Sequence, residues 1–171
     1  LPENEKLKLE DKWILSKFNT LAKEVTDNLD NFELGVAVSK LYDFIWDNYC
    51  DWYIELVKPR LYEKDGEDKK VAQKVLSYVL VGSLKLLHPF MPFITEEIFS
   101  KLPTGEKSIM ISSWPKYSEE FNFEDEIALK DLNVKLYKAS NEISSDENSI
   151  SEVKTNNNGE YIFSNLEPGK Y

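Results

Sequence analysis

The chain has 171 residues, enough for one domain with a hydrophobic core or for a domain and a half. Its 42% hydrophobic and 30% charged residues are typical of a globular protein, and no apolar run is long enough to span a bilayer. The net charge of −10 excludes binding to a polyanion through a general positive field. A single cysteine, Cys50, excludes an intramolecular disulfide framework, and the charged N-terminus lacks a signal-like apolar stretch, so we expect a cytoplasmic protein without a membrane partner.

Helical periodicity dominates the first half of the chain. Apolar residues three and four apart predict a first helix from about Asp11 to Asn28, with Asn31 as the cap of the next helix. The second helix is predicted over about Phe32 to Lys58, and Pro59 is expected to stop or kink it. The apolar face predicted for this helix consists of Ala37, Leu41, Phe44, Ile45, Tyr49, Trp52 and Leu56.

Two more helices follow a charged loop around Gly66. The third takes in the apolar positions from Val71 to Leu87, and a proline-containing break leads into a short fourth helix from about Pro92 to Leu102. Short loops between successive helices predict an antiparallel bundle. The string SIMISSWP, Ser108 to Pro115, is interpreted as an extended segment.

The pattern changes beyond Asp131. Val134 to Tyr137 alternates between polar and apolar residues, as a strand does. Ile150 to Thr155 and Glu160 to Asn165, joined by a turn of three asparagines and a glycine, predict a β-hairpin. The predicted fold class is therefore mainly α: an antiparallel helical bundle followed by a small, incomplete β segment.

Catalytic signatures are absent from the sequence. It contains no glycine-rich phosphate loop, no CxxC pair and no HExxH motif, so we predict no catalytic site and no metal site. His88 lies between an apolar helix and two prolines, and we interpret it as a structural residue at a helix end. Cys50 is interpreted as a small hydrophobic residue of the bundle.

Three strings carry a resemblance to a known family. They are DKWILSKFN from Asp11 to Asn19, LYDFIWDNYCDWYIELVKPRLY from Leu41 to Tyr62, and LLHPFMPFITEEIFSKLP from Leu86 to Pro103, which is followed by SIMISSWP. In this order and spacing they resemble the anticodon-binding helical domain of the valyl-tRNA synthetases. The likeness covers about 120 of the 171 residues, and the middle string points to valine among the related class I enzymes.

The resemblance implies a parent enzyme, a class I valine–tRNA ligase that uses ATP with Mg²⁺. The HIGH-like and KMSKS-like motifs of such an enzyme do not occur in this chain. The expectation is therefore a fragment without cofactor, inactive alone, that binds the anticodon stem-loop of valine tRNA. It would position this tRNA for a catalytic domain in cis, and we expect it to be a monomer.

The expected RNA contacts lie on the second helix. Its aromatic residues occur at mixed spacings and cannot all share one face, and an exposed ring can stack on an unpaired anticodon base. Lysine and arginine suit phosphate, and the carboxylates suit base edges. The predicted tRNA-binding residues are Trp46, Asp51, Trp52, Glu55, Lys58 and Arg60. The alternative for the rings is the bundle core, and the alternative for the charged residues is a solvated face.

The last part of the chain departs from this family. Val134 to Tyr137 and the run NGEYIFSNLEPGKY, Asn158 to Tyr171, resemble a partial Cna B-type, prealbumin-like β repeat of bacterial surface proteins. We therefore predict a helical anticodon-binding domain over residues 1–128 and a β-rich tail over residues 129–171. This tail keeps two alternatives open: a protein-interaction or surface-adhesin-type module, and an artefact of fusion or gene assembly.

Overall fold

A computed structural model describes residues 6–62, 66–123, 133–136, 151–154 and 162 of the chain. It contains two compact units, residues 1–124 and 125–171. In chain order, the first unit contains α1 (Leu9–Asp30), α2 (Leu34–Asp43), a π-helix (Phe44–Tyr53), α3 (Ile54–Tyr62), α4 (Glu67–Leu87), α5 (Pro92–Phe99) and two 3-10 turns (Ile109–Ile111 and Glu119–Phe121). The prediction of a mainly α fold is confirmed.

Successive helices of the bundle run antiparallel, as predicted. Glu24 of α1 forms an ion pair of 2.9 Å with Lys40 of α2, although the two residues are far apart in sequence. In contrast, α1 and α4 run parallel. Lys8, the N-cap of α1, lies 2.5 Å from Asp68 in the first turn of α4, and the Phe18 ring lies 5.9 Å from the Tyr78 ring near the middles of the two helices. The loops that follow α1 and α4 therefore lie at the same end of the bundle.

The second predicted helix is one continuous rod with a π-helix in its centre. Its buried positions step by three or four residues, except between Phe44 and Tyr49, which are five apart. A π-helix bonds each N–H to the carbonyl five residues earlier, as the Ile54 N–H does to Tyr49, and so absorbs the extra residue. The buried face then continues through Tyr53 and Val57.

The structure corrects two expectations for the second helix, the first through this register shift. Trp52 and Leu56, predicted on the buried face from a regular helical period, are exposed because the π-helix moves the buried face on to Tyr53 and Val57. Of the two effects expected of Pro59, a stop or a kink, the stop is wrong, because α3 continues through the proline to Tyr62. The missing N–H of a proline removes one hydrogen bond, and the burial of Val57 and Arg60 holds the last turn in place.

The cap between α1 and α2 also differs from expectation. Asn31 ends α1 rather than starting α2, whose first helical residue follows Glu33. The Glu33 N–H bonds to the Asn28 carbonyl at 2.8 Å, which closes a Schellman-type end of α1. Phe32 takes the left-handed position of that motif, with φ of +61°.

The segment after α5 returns along α1. The string expected to be extended contains the 3-10 turn Ile109–Ile111, and Ile109 packs into a buried cluster with Leu84 and Phe99. Trp114 Nε1 then donates to Thr26 Oγ1 at 2.9 Å, and the Ser118 N–H donates to Asn19 Oδ1 at 2.8 Å.

The second unit contains a two-stranded antiparallel sheet. Strand β1 (Asn133–Leu136) pairs with β2 (Ser151–Lys154), with Val134 opposite Val153. The sequence predicted β2 with a different partner, residues 160–165; apart from Ile162, that partner lies outside the described residues.

Candidate nucleic-acid interface

Five of the six predicted tRNA-binding residues lie on the solvent side of the second rod. The exposed positions recur in pairs at residues 42–43, 46–47, 51–52 and 55–56, and the step of five crosses the π-helix just as it does on the buried side. This surface, which we name the acidic-aromatic face, consists of Tyr42, Asp43, Trp46, Asp47, Asp51, Trp52, Glu55 and Leu56. Lys58 flanks it, half-buried and ion-paired to Glu55.

The charge on the acidic-aromatic face is unfavourable for RNA. It carries four exposed carboxylates, and the flanking Lys58 is already engaged by one of them. A phosphate backbone is repelled by such a surface, since affinity for nucleic acid depends mainly on contacts between phosphates and cations. The prediction that this face contacts tRNA stays a prediction, and its electrostatics argue against it.

Arg60, the sixth predicted residue, is buried. Its Nη1 and Nη2 each lie 2.9 Å from one oxygen of Asp11, whose side chain is fully buried, and its Nε lies 2.8 Å from Asp68. Glu10 accepts a further hydrogen bond from Nη1 at 2.9 Å. The guanidinium is therefore held inside the bundle by three carboxylates and is not available to a phosphate, which corrects the prediction for this residue.

The pKa values in this buried cluster are shifted by its contacts. Burial and the neighbouring Asp11, which accepts from the Tyr53 hydroxyl at 2.7 Å, raise the pKa of Tyr53. Burial opposes the charge of Arg60, but its bonds to Asp11 and the charges of Asp11, Asp68 and Glu10 together outweigh this effect and raise the pKa of the guanidinium. The contacts of the cluster therefore favour the protonated forms of Tyr53 and Arg60.

Among the described residues, the two most exposed aromatic rings lie elsewhere, at one end of the bundle. Phe32 is 89% exposed and Phe93 is 91% exposed. They follow α1 and α4 respectively, so both lie at the end where those parallel helices finish. Met110 joins them, because its sulfur lies 2.9 Å from Nε2 of His88, the residue that ends α4. We name this surface the apolar end, and its exposed members are Phe32, Leu34, Met91, Phe93, Ile94, Met110 and Ile111.

Phe32 occupies a backbone conformation that normally favours glycine. Among the described residues it alone combines a side chain with a positive φ. Such a conformation costs on the order of 1 kcal/mol for a residue with a Cβ, and strain of this kind clusters at functional sites. The Schellman-type end of α1 imposes this conformation, and it leaves a large apolar ring almost entirely in solvent.

His88 supports the neighbouring loop. Its Nδ1 lies 2.7 Å from Thr95 Oγ1, and Thr95 in turn donates to the Met91 carbonyl at 2.8 Å. These bonds fix the turn that precedes Phe93, in agreement with the structural role inferred for this histidine. Cys50 is half-buried, and burial raises the pKa of its thiol.

An open groove with lysines runs along the outer side of α4. It has a volume of about 610 Å³ and lies between α4 and the loop after α5. Lys74 is exposed at its wall, and Lys85, in the last turn of α4, is ion-paired with Glu106 at 3.4 Å. Lys74 thus brings one exposed positive charge to this side of the bundle, while Glu106 offsets the charge of Lys85.

Comparison with known proteins identifies the family. A family model described as the anticodon-binding domain of tRNA ligase matches residues 11–160. The chain belongs to this family. The chain is 53% identical to the valine–tRNA ligase of Clostridium acetobutylicum over 120 residues. These residues make up 70% of the chain and 14% of that protein. The valine–tRNA ligase of Thermotoga maritima is 48% identical over 128 residues, 75% of the chain and 14% of that protein.

The same comparisons limit and correct two interpretations. The chain spans about one seventh of the length of the valine–tRNA ligases that it matches. The predicted likeness of the tail to a Cna B-type repeat is not supported, and the family match extends to residue 160, into that tail. Short alternating strings bounded by turns occur in many β proteins, so the pattern on which that prediction rested is not specific.

The structure adds residues that the sequence analysis missed. The helical periodicity of the sequence gave no reason to single out Phe32, Phe93 or Met110. A phenylalanine directly after the polar end of a predicted helix was the available signal for Phe32. Within the described parts of the chain, no helix is long and apolar enough to cross a membrane, and no group of three or more histidine, cysteine or acidic residues is arranged to hold a metal ion.

Proposed function

We propose that this anticodon-binding domain serves a valine–tRNA ligase and recognises the anticodon stem-loop of valine tRNA. The observation that carries the proposal is the identity of about one half to valine–tRNA ligases over about 120 residues, within a family match of residues 11–160. A catalytic domain in cis would perform the ATP- and Mg²⁺-dependent aminoacylation. The chain itself would bind no cofactor, would act as a monomer in the cytoplasm, and would only position the tRNA.

The apolar end is the surface that we propose for the bases of the anticodon. Unpaired bases in an RNA loop are read by stacking on aromatic side chains, and Phe32 and Phe93 present such rings almost without contact to the bundle. Lys74 of the α4 groove would neutralise a phosphate of the adjoining stem. This division of roles explains how an acidic chain can bind RNA through local contacts rather than through its net charge.

The test separates the loss of a ring from the loss of the fold. Phe32→Gly removes the ring and also relieves the positive φ, so the variant should be at least as stable as the parent chain. It should nevertheless bind fluorescently labelled valine tRNA about 1–3 kcal/mol more weakly, or roughly 5- to 150-fold in Kd, if one stacked base is lost. Phe93→Ala should have an effect of the same size.

Tyr62→Ala is the matched control for these two variants. Tyr62 is an exposed aromatic residue at the opposite end of the bundle, and its removal should leave the affinity unchanged. A valine tRNA with an altered anticodon should bind the parent chain more weakly than the normal tRNA. Equal affinity for the two RNAs in an anisotropy titration would refute anticodon recognition, and unchanged affinity of both phenylalanine variants would refute the proposed surface. Absolute affinity should be modest, since the domain alone lacks the avidity of a whole ligase.

A further inference from the structure

The acidic-aromatic face remains without a role once the bases are assigned to the apolar end. Trp46 is 52% exposed and Trp52 is 61% exposed, and the Trp46 ring lies 6.2 Å from the ring of Tyr42. Leu56 extends the same surface along α3. Tryptophan and tyrosine dominate the energetics of protein–protein contacts, because each large, rigid side chain buries roughly 150–250 Å² of surface. Two half-exposed tryptophans on one helix face are therefore typical of a docking surface.

The charges of this face restrict what can cover it. Asp43, Asp47, Asp51 and Glu55 disfavour RNA, and they equally disfavour the same face of a second copy, because carboxylates would then meet carboxylates. The end of the chain itself is also a poor occupant, since residues 125–171 carry nine acidic against five basic side chains. What remains is a partner that is both basic and apolar.

We propose that the acidic-aromatic face docks a basic, apolar segment of the same ligase polypeptide, outside the stretch matched here. This inference rests on the proposed function. In the valine–tRNA ligases that the chain matches, about six sevenths of the polypeptide lies outside the aligned stretch, which is the length of chain from which such a segment would come. Three aromatic rings and one leucine provide enough area for the small end of an interdomain interface, which buries roughly 600–1,500 Å².

The proposed docking assigns a function to the π-helix, which keeps the docking surface continuous. In a regular α-helix of the same sequence, without the π-helix, the period would turn Trp52 and Leu56 towards the core and divide the exposed surface in two. With the π-helix, Tyr42, Trp46, Trp52 and Leu56 form one continuous apolar strip edged by carboxylates. π-helices are rare and frequently occur at functional sites, and this one keeps the docking surface in register.

Hydroxyl-radical footprinting of the tryptophans tests the proposal. In one sample the 171-residue chain is free; in the other, its residues 9–123 replace the matched stretch of the Clostridium acetobutylicum valine–tRNA ligase. Trp46 and Trp52 should be oxidised at least about fivefold more slowly in the chimera, because the core of an interface excludes water. Aminoacylation of valine tRNA by the chimera reports that it is folded.

Charge reversal identifies the chemistry of the partner. Asp47→Lys with Asp51→Lys in the chimera should restore fast oxidation of Trp46 and Trp52, since like charges would then face the docked segment. Glu119→Lys with Glu120→Lys makes the same change of net charge at exposed positions outside the face, and should leave the protection intact. If the chimera does not fold, tryptophan fluorescence of the 171-residue chain is titrated with 15-residue peptides tiled across the rest of the Clostridium ligase. At least one basic peptide should then bind, and more weakly to the charge-reversed chain.

Two results would overturn the inference. Equal oxidation rates of both tryptophans in the free chain and in the folded chimera, or the absence of any binding peptide, would leave the face without a protein partner. Protection of Trp46 and Trp52 in the free chain by valine tRNA would identify RNA as the occupant. Failure of the proposed function is distinguishable, because it would appear as absent tRNA protection at Phe32 and Phe93, whatever the state of the tryptophans.

Discussion

Replacing Arg60 by methionine should destabilise the bundle by about 3–5 kcal/mol, the cost of leaving one partner of a buried ion pair without its counter-charge. The size follows from Asp11, whose fully buried carboxylate would keep two donors among the described residues, the Tyr53 hydroxyl at 2.7 Å and the Lys8 backbone N–H at 3.1 Å. Glu10 and Asp68 would also lose a partner. Their side chains are 23% and 29% exposed, so water replaces much of that interaction and each adds no more than about 1 kcal/mol.

Urea unfolding followed by circular dichroism measures this loss. Asp11→Asn introduced into the Arg60→Met variant should recover part of the stability, because it removes the unpaired charge and keeps an acceptor for Tyr53. Lys58→Met is the control, since it breaks only a partly exposed ion pair and should cost less than about 1 kcal/mol. Where Arg60→Met is folded, its affinity for valine tRNA should be unchanged. A stability loss below about 1 kcal/mol, or no recovery with Asp11→Asn, would refute this reasoning.

Further predictions concern the core, the pH dependence and the RNA contact. Gly82→Ala places a Cβ into the buried ring of Phe18 and should lower the free energy of unfolding in urea by about 1–3 kcal/mol, less what alanine gains in helix propensity. Gly35→Ala is the control, because its Cβ meets no atom within 4 Å and should not destabilise the bundle. The hydrogen bond from Lys8 and the charge of Arg60 lower the pKa of Asp68 below its ordinary value of 3.8, against the opposing effect of burial. Asp68 therefore stabilises the fold above pH 3.8, and the deficit of Asp68→Asn should disappear as the pH falls through the lower folded-state pKa; a deficit independent of pH would contradict this. Lys74→Ala should weaken tRNA binding and reduce the slope of log K against log salt by about 0.7–0.9; an unchanged slope would exclude a phosphate contact there.

Hydrophobic periodicity alone located the helices but did not determine the buried face of every helix. The first, third and fourth predicted helices correspond to α1, α4 and α5 with shifts of a few residues at their ends, because long runs of apolar residues at one spacing leave little choice. The second helix was located correctly, but its inner face was wrong from Trp52 onwards. The step from Phe44 to Tyr49 is a single five-residue interval, and a helical pattern with one irregular interval does not reveal whether the backbone absorbs it.

For the candidate site, the sequence was sufficient for the family but not for the contact residues. The strings at Asp11–Asn19, Leu41–Tyr62 and Leu86–Pro103 were sufficient to place the chain in its family, since such strings are long and specific. They did not separate residues that hold the bundle together from residues that meet a partner. Arg60 has the chemistry of a phosphate ligand, and only its distance to Asp11 shows that its charge is already used inside the fold.

The sequence by itself determined the helical class, the order of the helices, the family and the acidic balance, because local periodicity, turn residues and charge are properties of the chain. The tertiary structure decided which surface each helix presents. Burial of Arg60 needs Asp11 from a distant helix, the exposure of Trp52 needs the π-helical register, and the apolar end exists only because α1 and α4 run parallel and finish together. Each of these depends on contacts between residues remote in sequence, which no local pattern encodes.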